Sequence, residues 1–445
     1  MRPCMRWLIP LAVVGAAVPA LAQSGAPEPV LTLEEAVAIA LDNNHRLRAA
    51  DAGIDAAQAS VDEAGAGRLP NVDLVETFSY TTNPVFVFGN LLGQEEFSEA
   101  NFDPAYLNEP DALSNWNTLA EVSLPVYVGG RIRHGRDAAQ AGLQAATAGR
   151  ERTRQEVVRD VVDAHTATAL AESYLGAVRE SLNVVRENLR LVTDLREAGL
   201  VVESDRLQAL VRESEVLEME AFAEAEAATA RAALNFAMGR PLDTPVAVAG
   251  GEPEPLAAGS LDELTADLAG ARPDVLAADA QSRATEAAVR AARGERLPEV
   301  GVAGRVEANA EDYPGADGTN WSVFGVARWR VFGAGAAARL RRAEAQAEQA
   351  RRMRELAVEG AGLEVRRAWY RMEAAGKSRE RSRLDVERAV ASLAIVRDRY
   401  SEGLANLVEL LDAENALTRA RTREVETLRD YRMADAALRL AAGRL

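Results

Sequence analysis

The sequence predicts a mainly α-helical fold with a small β part, built from long helical hairpins and two pairs of strands. Three observations lead to this prediction: two long intervals without proline, two segments rich in aromatic residues, and an internal repeat. Because the repeat gives both halves of the chain the same plan, it indicates one structure with internal two-fold pseudo-symmetry rather than two independent domains.

The N-terminal 22 residues are predicted to be a secretory signal peptide. Arg2 and Arg6 give a positively charged start, residues 8–20 are apolar and uncharged, and a small-residue cleavage pattern ends at Ala22. A transmembrane anchor is the alternative. It is disfavoured because the apolar run is shorter than the roughly 20 residues that a spanning helix needs. Export from the cytoplasm is therefore expected.

Composition excludes several classes of function. Cys4 is the only cysteine and lies in the predicted signal peptide, so the mature chain can hold no disulfide, thiolate metal site or cysteine nucleophile. The net charge of −17 argues against a nucleic-acid partner, whose phosphates attract Lys and Arg. The three histidines have no metal-binding spacing, and no hydrolase or phosphate-loop motif occurs. We expect no metal, no cofactor and no catalytic residue, which disfavours a periplasmic helical enzyme.

Long helices are predicted in the two intervals without proline, between Pro125 and Pro241 and after Pro314. Both are dominated by Ala, Leu, Glu, Arg and Gln, which favour helix. A glycine suited to reversing the chain interrupts each interval, at Gly199 and at Gly403. The 67 residues before the first of these turns would form a helix of about 100 Å, a length suited to bridging a compartment.

Strands are predicted where aromatic residues are concentrated, in residues 72–128 and 299–333. Apolar and polar residues alternate at 72–80 and again at 321–329. Strands of about ten residues with aromatic ends are typical of outer-membrane barrels. A soluble β-hairpin packed on helices remains an alternative explanation of these segments.

The internal repeat aligns residues 33–72 with 261–300, and the glycine turns and the helices after them align as well. We therefore divide the chain into a signal peptide (1–22), a first repeat (23–240), a linker (241–260) and a second repeat (261–445). Each repeat contains a helix, two strands and a long helical hairpin. Four strands cannot close a barrel, and open strand edges cannot face lipid, so several copies must share their strands if these span a membrane.

The chain resembles the TolC-like outer membrane efflux proteins, also called outer membrane factors. The resemblance rests on residues 31–36 at the start of the first helix, on 124–130, on 272–274, and above all on 399–417 after the second long helix. It implies a homotrimer in the outer membrane of a Gram-negative bacterium. Each chain gives four strands to a transmembrane barrel and its hairpins to a periplasmic tunnel, in a trimeric α/β-barrel.

The resemblance also implies a periplasmic gate. Acidic and tyrosine residues near the two turns fall on Asp205, Tyr400, Glu409 and Asp412, which repeated threefold would form negative rings that favour cations. Ordinary solvated helix acids are the alternative. Some relatives carry an arginine where this chain has Ala405, so a salt-bridge lock at that position is not expected. The tip that docks on a partner falls on Gly199, Leu200, Gly403, Leu404 and Ala405.

The function implied is a passive exit duct with no covalent chemistry. A periplasmic adaptor protein and an inner-membrane pump would supply it with small molecules or metal ions, and outer membrane lipid would surround the barrel. Residues 88–94 and 101–104 would lie in an external loop. Two other functions stay open: a type I protein secretion channel, and an exported helical scaffold protein without a pore.

Overall fold

A computed structural model describes residues 30–199, 201–249, 260–266 and 268–444. The predicted signal peptide, Leu200 and residues 250–259 of the predicted linker lie outside the described residues.

Long helices dominate the chain. The first half contains β1 (Val30–Leu31), α1 (Leu33–Asn43), α2 (His45–Ala66), β2 (Asn71–Thr81), α3 (Pro84–Gly93), a 3₁₀ turn (Glu99–Phe102), α4 (Pro104–Asn108), β3 (Leu113–Val128), α5 (Arg131–Glu197), α6 (Glu203–Met238) and β4 (Ala247–Val248). The second half contains α7 (Leu261–Thr265), α8 (Leu268–Ala271), α9 (Pro273–Gly294), β5 (Glu299–Ala310), β6 (Gly318–Arg328), α10 (Ala334–Ser401) and α11 (Leu407–Ala441). A mainly helical fold with a small β part is confirmed.

The two hairpins, α5–α6 and α10–α11, begin with helices of 67 and 68 residues. At about 1.5 Å per residue, each of these helices extends roughly 100 Å. Val178, Leu182 and Val185 recur at helical spacing on α5 and are buried against Val216 and Ala223 of α6. The apolar periodicity of the sequence therefore produces the buried contact that holds α5 against α6.

One expected helix is divided. The sequence suggested a single helix before Arg68-Leu69-Pro70, whereas the chain forms α1 and then α2, separated at Asn44. The Asn44 side chain accepts a hydrogen bond from the backbone N–H of Arg46 and donates one to the carbonyl of Ala237 at 2.8 Å. Asn44 thus caps α2 and ties it to the end of α6, which explains the break.

Arg272, in the motif Arg272-Pro273-Asp274, anchors the second half. Its guanidinium is 1% exposed and contacts both carboxylate oxygens of Asp274, at 2.9 and 2.6 Å. It also donates to Glu364 of α10 at 2.6 Å and to the carbonyl of Ala441, at the end of α11, at 3.0 Å. One side chain therefore fixes the start of α9 against the base of the second hairpin.

Four strands form one antiparallel sheet in the order β2-β3-β5-β6, so the two halves meet between β3 and β5. β2 and β6 are its edges. A second, two-stranded sheet pairs β1 with β4 in parallel, which joins part of the predicted linker to the start of the described chain.

The larger sheet has one apolar and one polar face, because directly opposed residues share a face. Opposed apolar residues are Phe78 and Trp116; Leu74, Ala120, Val306 and Trp321; and Val72, Val122 and Val323. On the other face lie Asp73, Glu121, Arg305 and Ser322, together with Thr77, Asn117 and Asn309. Of the four described strands, only Glu76 puts a charge on the apolar face, and it accepts a hydrogen bond from Thr118 at 2.6 Å.

The apolar face is not covered by the described helices. Leu74, Trp321 and Val323 are 76%, 78% and 66% exposed. A soluble hairpin packed on helices would bury these side chains, so the exposed face argues against that alternative. Among the described residues, no helix has both the length and the apolar character needed to cross a membrane.

Candidate gate at the turns of the two hairpins

Two glycine turns reverse the hairpins. Gly199 and Gly403 have φ of +75° and +73°, a left-handed conformation that glycine adopts without strain. The N–H of Gly403 donates to the carbonyl of Tyr400 at 3.0 Å, and the N–H of Leu404 donates to that of Arg399 at 2.8 Å. This pair of bonds satisfies the last carbonyls of α10 and ends the helix sharply.

An apolar cluster joins the two hairpins just above their turns. Val192 of α5, Tyr400 of α10, and Leu407 and Leu410 of α11 are buried together. Partly buried residues around them include Val201 and Ala405. The turns are therefore held side by side by packing rather than left as independent loops.

Tyr400 is 6% exposed, and its hydroxyl has no hydrogen-bond partner within the described chain. Burial, and then the negative charge of Asp205, raise the pKa of Tyr400. Asp205 lies half-buried in the first turn of α6. The negative charge of Asp205 in one hairpin thus influences Tyr400 in the other hairpin, and the buried ring of Tyr400 packs in the apolar cluster.

Glu409 and Asp412 are both exposed on α11. Asn406, the N-cap of α11, accepts a hydrogen bond from the N–H of Glu409 at 2.9 Å and donates one to its carboxylate at 3.1 Å. Arg399 approaches the same carboxylate at 3.7 Å. Glu409 is therefore engaged within its own hairpin, whereas Asp412 has no hydrogen-bond or ion-pair partner in the described part of the chain.

The exposed tip is smaller than the sequence suggested. Gly199 and Gly403 are exposed, and Leu404 is 64% exposed. Ala405 instead packs half-buried against the apolar cluster, and Leu200 lies outside the described residues. Ala405 turns inward because it leads into α11, whose first residue, Leu407, is in the same cluster. Arg399 donates a hydrogen bond to the carbonyl of Leu404 at 3.1 Å, directly before Ala405.

A buried polar pair between the hairpins was missed by the sequence analysis. Asn188 of α5 and Glu414 of α11 are 6% and 5% exposed, and the Asn188 amide donates to the Glu414 carboxylate. Oδ1 of Asn188 and the second carboxylate oxygen of Glu414 have no hydrogen-bond partner among the described residues. The available signal was the stripe Leu407, Leu410 and Glu414, in which an acid occupies an apolar position.

The protonation of Glu414 is shifted by its surroundings. Burial raises the pKa of Glu414, while the hydrogen bond from Asn188 and the charges of Arg212 and Arg397 partly oppose this effect. Arg397 also pairs with Glu187 of α5 at 3.7 Å, and Arg421 of α11 pairs with Glu180 of α5 at 3.6 Å. These contacts cross between the hairpins, so Glu414 lies at the polar centre of their interface.

The described residues contain no group of three or more His, Cys, Asp or Glu side chains placed to hold a metal ion.

Comparison with known proteins places the chain in a family. The family model for outer membrane efflux proteins matches residues 36–240 and 264–444. Protein CyaE of Bordetella pertussis is 30% identical over 324 residues, covering 69% of this chain and 66% of CyaE. The pyoverdine export outer membrane protein OpmQ of Pseudomonas putida is 23% identical over 428 residues, covering 92% of this chain and 85% of OpmQ.

Solved structures share the fold. The CmeC outer membrane channel of Campylobacter jejuni superposes with a TM-score of 0.79 at 17% identity, over 92% of this chain and 85% of CmeC. The family match spans both halves of the chain, including the two hairpins and the four strands. The chain belongs to the outer membrane efflux protein family.

Proposed function

We propose that this outer-membrane efflux channel subunit forms a homotrimer whose three sheets close one transmembrane barrel. The observation that carries the proposal is the four-stranded sheet with two free edges, one exposed apolar face and one polar face. Lipid tolerates an apolar face but no open edge, so β6 of one copy must pair with β2 of the next. Three such sheets give twelve strands around a polar lumen.

The hairpins would extend the barrel into a periplasmic tunnel. α5 and α10 begin directly beyond the end of the sheet, and their turns lie about 100 Å further on, at a rise of about 1.5 Å per residue. A tunnel of this length would reach far across the periplasm. The division into a first repeat (23–240), a linker (241–260) and a second repeat (261–445) is the plan we propose for each subunit.

The gate would lie at the turns, around the apolar cluster that contains Tyr400. Threefold copies of Asp205, Glu409 and Asp412 would ring the opening with negative charge and favour cations. Packing of the Tyr400 ring supports closure more directly than a hydrogen bond from its hydroxyl, since that hydroxyl has no partner in the described chain. Opening would separate the two hairpins at this cluster.

Channels of this family work with an adaptor and an inner-membrane pump in tripartite systems. We assign adaptor docking to the tip at Gly199, Leu200, Gly403 and Leu404, with Ala405 supporting it from within. The family and its structural neighbours are channels, which supports the proposal that the subunit is a passive duct. The pump supplies the energy.

Small molecules or metal ions are the cargo we propose. The relative OpmQ is a pyoverdine export protein, which supports export of a compound of this kind. A type I protein secretion channel would have the same subunit plan and is the competing function.

The test uses a single cysteine in the mature chain, which has none once residues 1–22 are removed. Leu404→Cys places the probe at the exposed tip, and Leu356→Cys, 62% exposed on α10, is the matched control. Crosslinking in living cells followed by mass spectrometry should capture a periplasmic adaptor with Leu404→Cys and not with the control. If the chain captures no adaptor and also fails to fractionate with outer membranes, the tunnel is wrong and the helical scaffold stands.

A further inference from the structure

The segment between β2 and β3 folds back onto the polar face of the sheet. Gln94, at the end of α3, is 1% exposed, and its amide donates to the carbonyl of Ser114 at 2.9 Å and to Oδ1 of Asn115 at 2.8 Å. Asn115 in turn donates to Asn309 of β5 at 3.0 Å. Asn309 faces Asn117 in the register of the sheet, so α3 is attached to the polar side.

Close backbone contact fixes this position. A Cβ atom added at Gly318 of β6 would lie 2.1 Å from the carbonyl oxygen of Gly93, which only glycine allows. Two residues after the end of α3, Glu95 has a φ of +62°, an uncommon conformation for a residue other than glycine. The chain adopts it while Gln94 remains hydrogen-bonded to β3. The contacts of α3 thus extend to β3, β5 and β6.

The other side of α3 is apolar and uncovered. Val87, Leu91 and Gln94 form the buried stripe of this helix, at the spacing i, i+4 and i+7. Val85, Gly89 and Leu92 have the same spacing on the opposite side, and Val85 and Leu92 are 77% and 50% exposed. A Cβ atom added at Gly89 would meet no atom within 4 Å. The described chain therefore leaves this face unpartnered.

The placement of α3 determines what can cover that face. The long helices adjoin the sheet beside Asn71 and Val128, whereas α3 follows Thr81 at the other end of β2. In the barrel proposed above, the polar face is inside, so α3 lies inside the mouth remote from the tunnel. Its uncovered side then points to the threefold axis, where the α3 helices of the other two copies can meet it.

We propose that three copies of α3 meet on the threefold axis and form an apolar constriction at the outer mouth of the channel. Val85 and Leu92 bury one another there, and Gly89 allows the helices to approach closely. Apolar constrictions gate channels by excluding water, so this ring forms a second gate, distinct from the acidic ring at the hairpin turns. The inference rests on the proposed trimer.

Single cysteines test the contact. Val85→Cys and Leu92→Cys place thiols on the inward side of α3, and Tyr80→Cys, at a residue 68% exposed on the outer, apolar face of β2, is the matched control. Outer membranes that contain each variant are treated with an oxidant. Their proteins are then separated by denaturing electrophoresis without a reductant. We expect Val85→Cys and Leu92→Cys to shift up to two of every three chains from monomer to a disulfide-linked dimer, and Tyr80→Cys to remain monomeric.

The outcomes separate this inference from the proposed function. A heat-modifiable trimer in which neither inward cysteine crosslinks overturns the constriction and leaves the channel intact. Equal crosslinking of Tyr80→Cys also overturns it, because random collision then explains the dimer. If no trimer forms in any variant or in the parent chain, the proposed function fails together with the constriction.

Discussion

Glu414→Gln should strengthen the contact between the two hairpins at neutral and alkaline pH. Glu414 is 5% exposed, and one of its carboxylate oxygens has no hydrogen-bond partner in the described chain. Glutamine keeps an oxygen that accepts from the Asn188 amide. Its own amide can also donate to Oδ1 of Asn188, which is buried and lacks a partner. The substitution therefore removes a buried charge and adds a hydrogen bond.

The magnitude follows from the cost of an unsatisfied buried group, about 1–3 kcal/mol. Taking the low end, about 1 kcal/mol corresponds to roughly fivefold in an opening equilibrium, since 1.4 kcal/mol is tenfold. Amides of α5 and α11 around Asn188 and Glu414 should therefore exchange with deuterium about fivefold more slowly in the variant at pH 8. Asp412→Asn, an exposed acid on the same helix, is the matched control and should leave these rates unchanged.

The pH dependence has a definite sign. Burial raises the pKa of Glu414 in the folded chain, so the folded state binds its proton more tightly than the unfolded state. Stability from this group is fully present below the unfolded pKa, near 4.3 for glutamate, and is lost as pH rises through the folded pKa. The advantage of Glu414→Gln should thus shrink as pH falls. Faster exchange in the variant at pH 8, or an advantage independent of pH, would refute the reasoning.

Substitutions at four further positions test other parts of the structure. Arg272→Ala should cost about 1.5–3 kcal/mol, because it removes the charge-assisted hydrogen bonds to Asp274 and Glu364, whose carboxylates are partly exposed to water; protease resistance of the folded chain measures this. Tyr400→Phe should leave the stability of the hairpin contact nearly unchanged, whereas Tyr400→Ala should cost about 3–5 kcal/mol through lost packing; deuterium exchange near the turns separates the two variants. Gly403→Ala should cost about 1–2 kcal/mol from its left-handed backbone alone. Gly239→Ala should cost more, since its Cβ atom would also lie 2.6 Å from the carbonyl oxygen of Asn43; thermal denaturation ranks the pair.

The long helices could be predicted because their signals are local. These signals are the absence of proline, the helix-forming composition and the apolar residues at helical spacing. Each depends only on residues that are close together in sequence. The glycines that end α5 and α10 were predictable for the same reason, because a helix that ends in a left-handed backbone conformation usually has glycine at that position. The strands were predictable from the alternation of apolar and polar residues. The pairing of β3 with β5 was not predictable, because it joins residues that are far apart in sequence.

The site was less predictable because its contacts are long-range. Asn188 and Glu414 are separated by 226 positions, and nothing near either residue indicates the other. Ala405 was expected at the exposed tip, but its burial depends on the cluster that Val192 of the other hairpin completes. Likewise, α3 packs on the sheet because Gln94 donates a hydrogen bond to Asn115. Both are polar residues of a kind that is common in loops, so the sequence does not indicate this contact.

The gate assignment of Asp205, Tyr400, Glu409 and Asp412 stays a prediction. The structure groups Asp205 with Tyr400, and it leaves Glu409 within its own hairpin. Reversal potentials of the channel in planar bilayers would measure the selectivity of the acidic ring. Asp412→Asn should lower cation selectivity, since Asp412 is the acid with no partner in the described chain to neutralise it.

Electron cryomicroscopy of the chain purified from outer membranes tests the shared barrel most directly. We expect a threefold-symmetric particle in which twelve strands close a barrel, with β6 of each copy hydrogen-bonded to β2 of the next. Below it, the six hairpins should form a single tunnel that narrows at the glycine turns. A monomer whose four-stranded sheet stays open, or an assembly in which β2 and β6 do not pair between copies, would contradict the proposal.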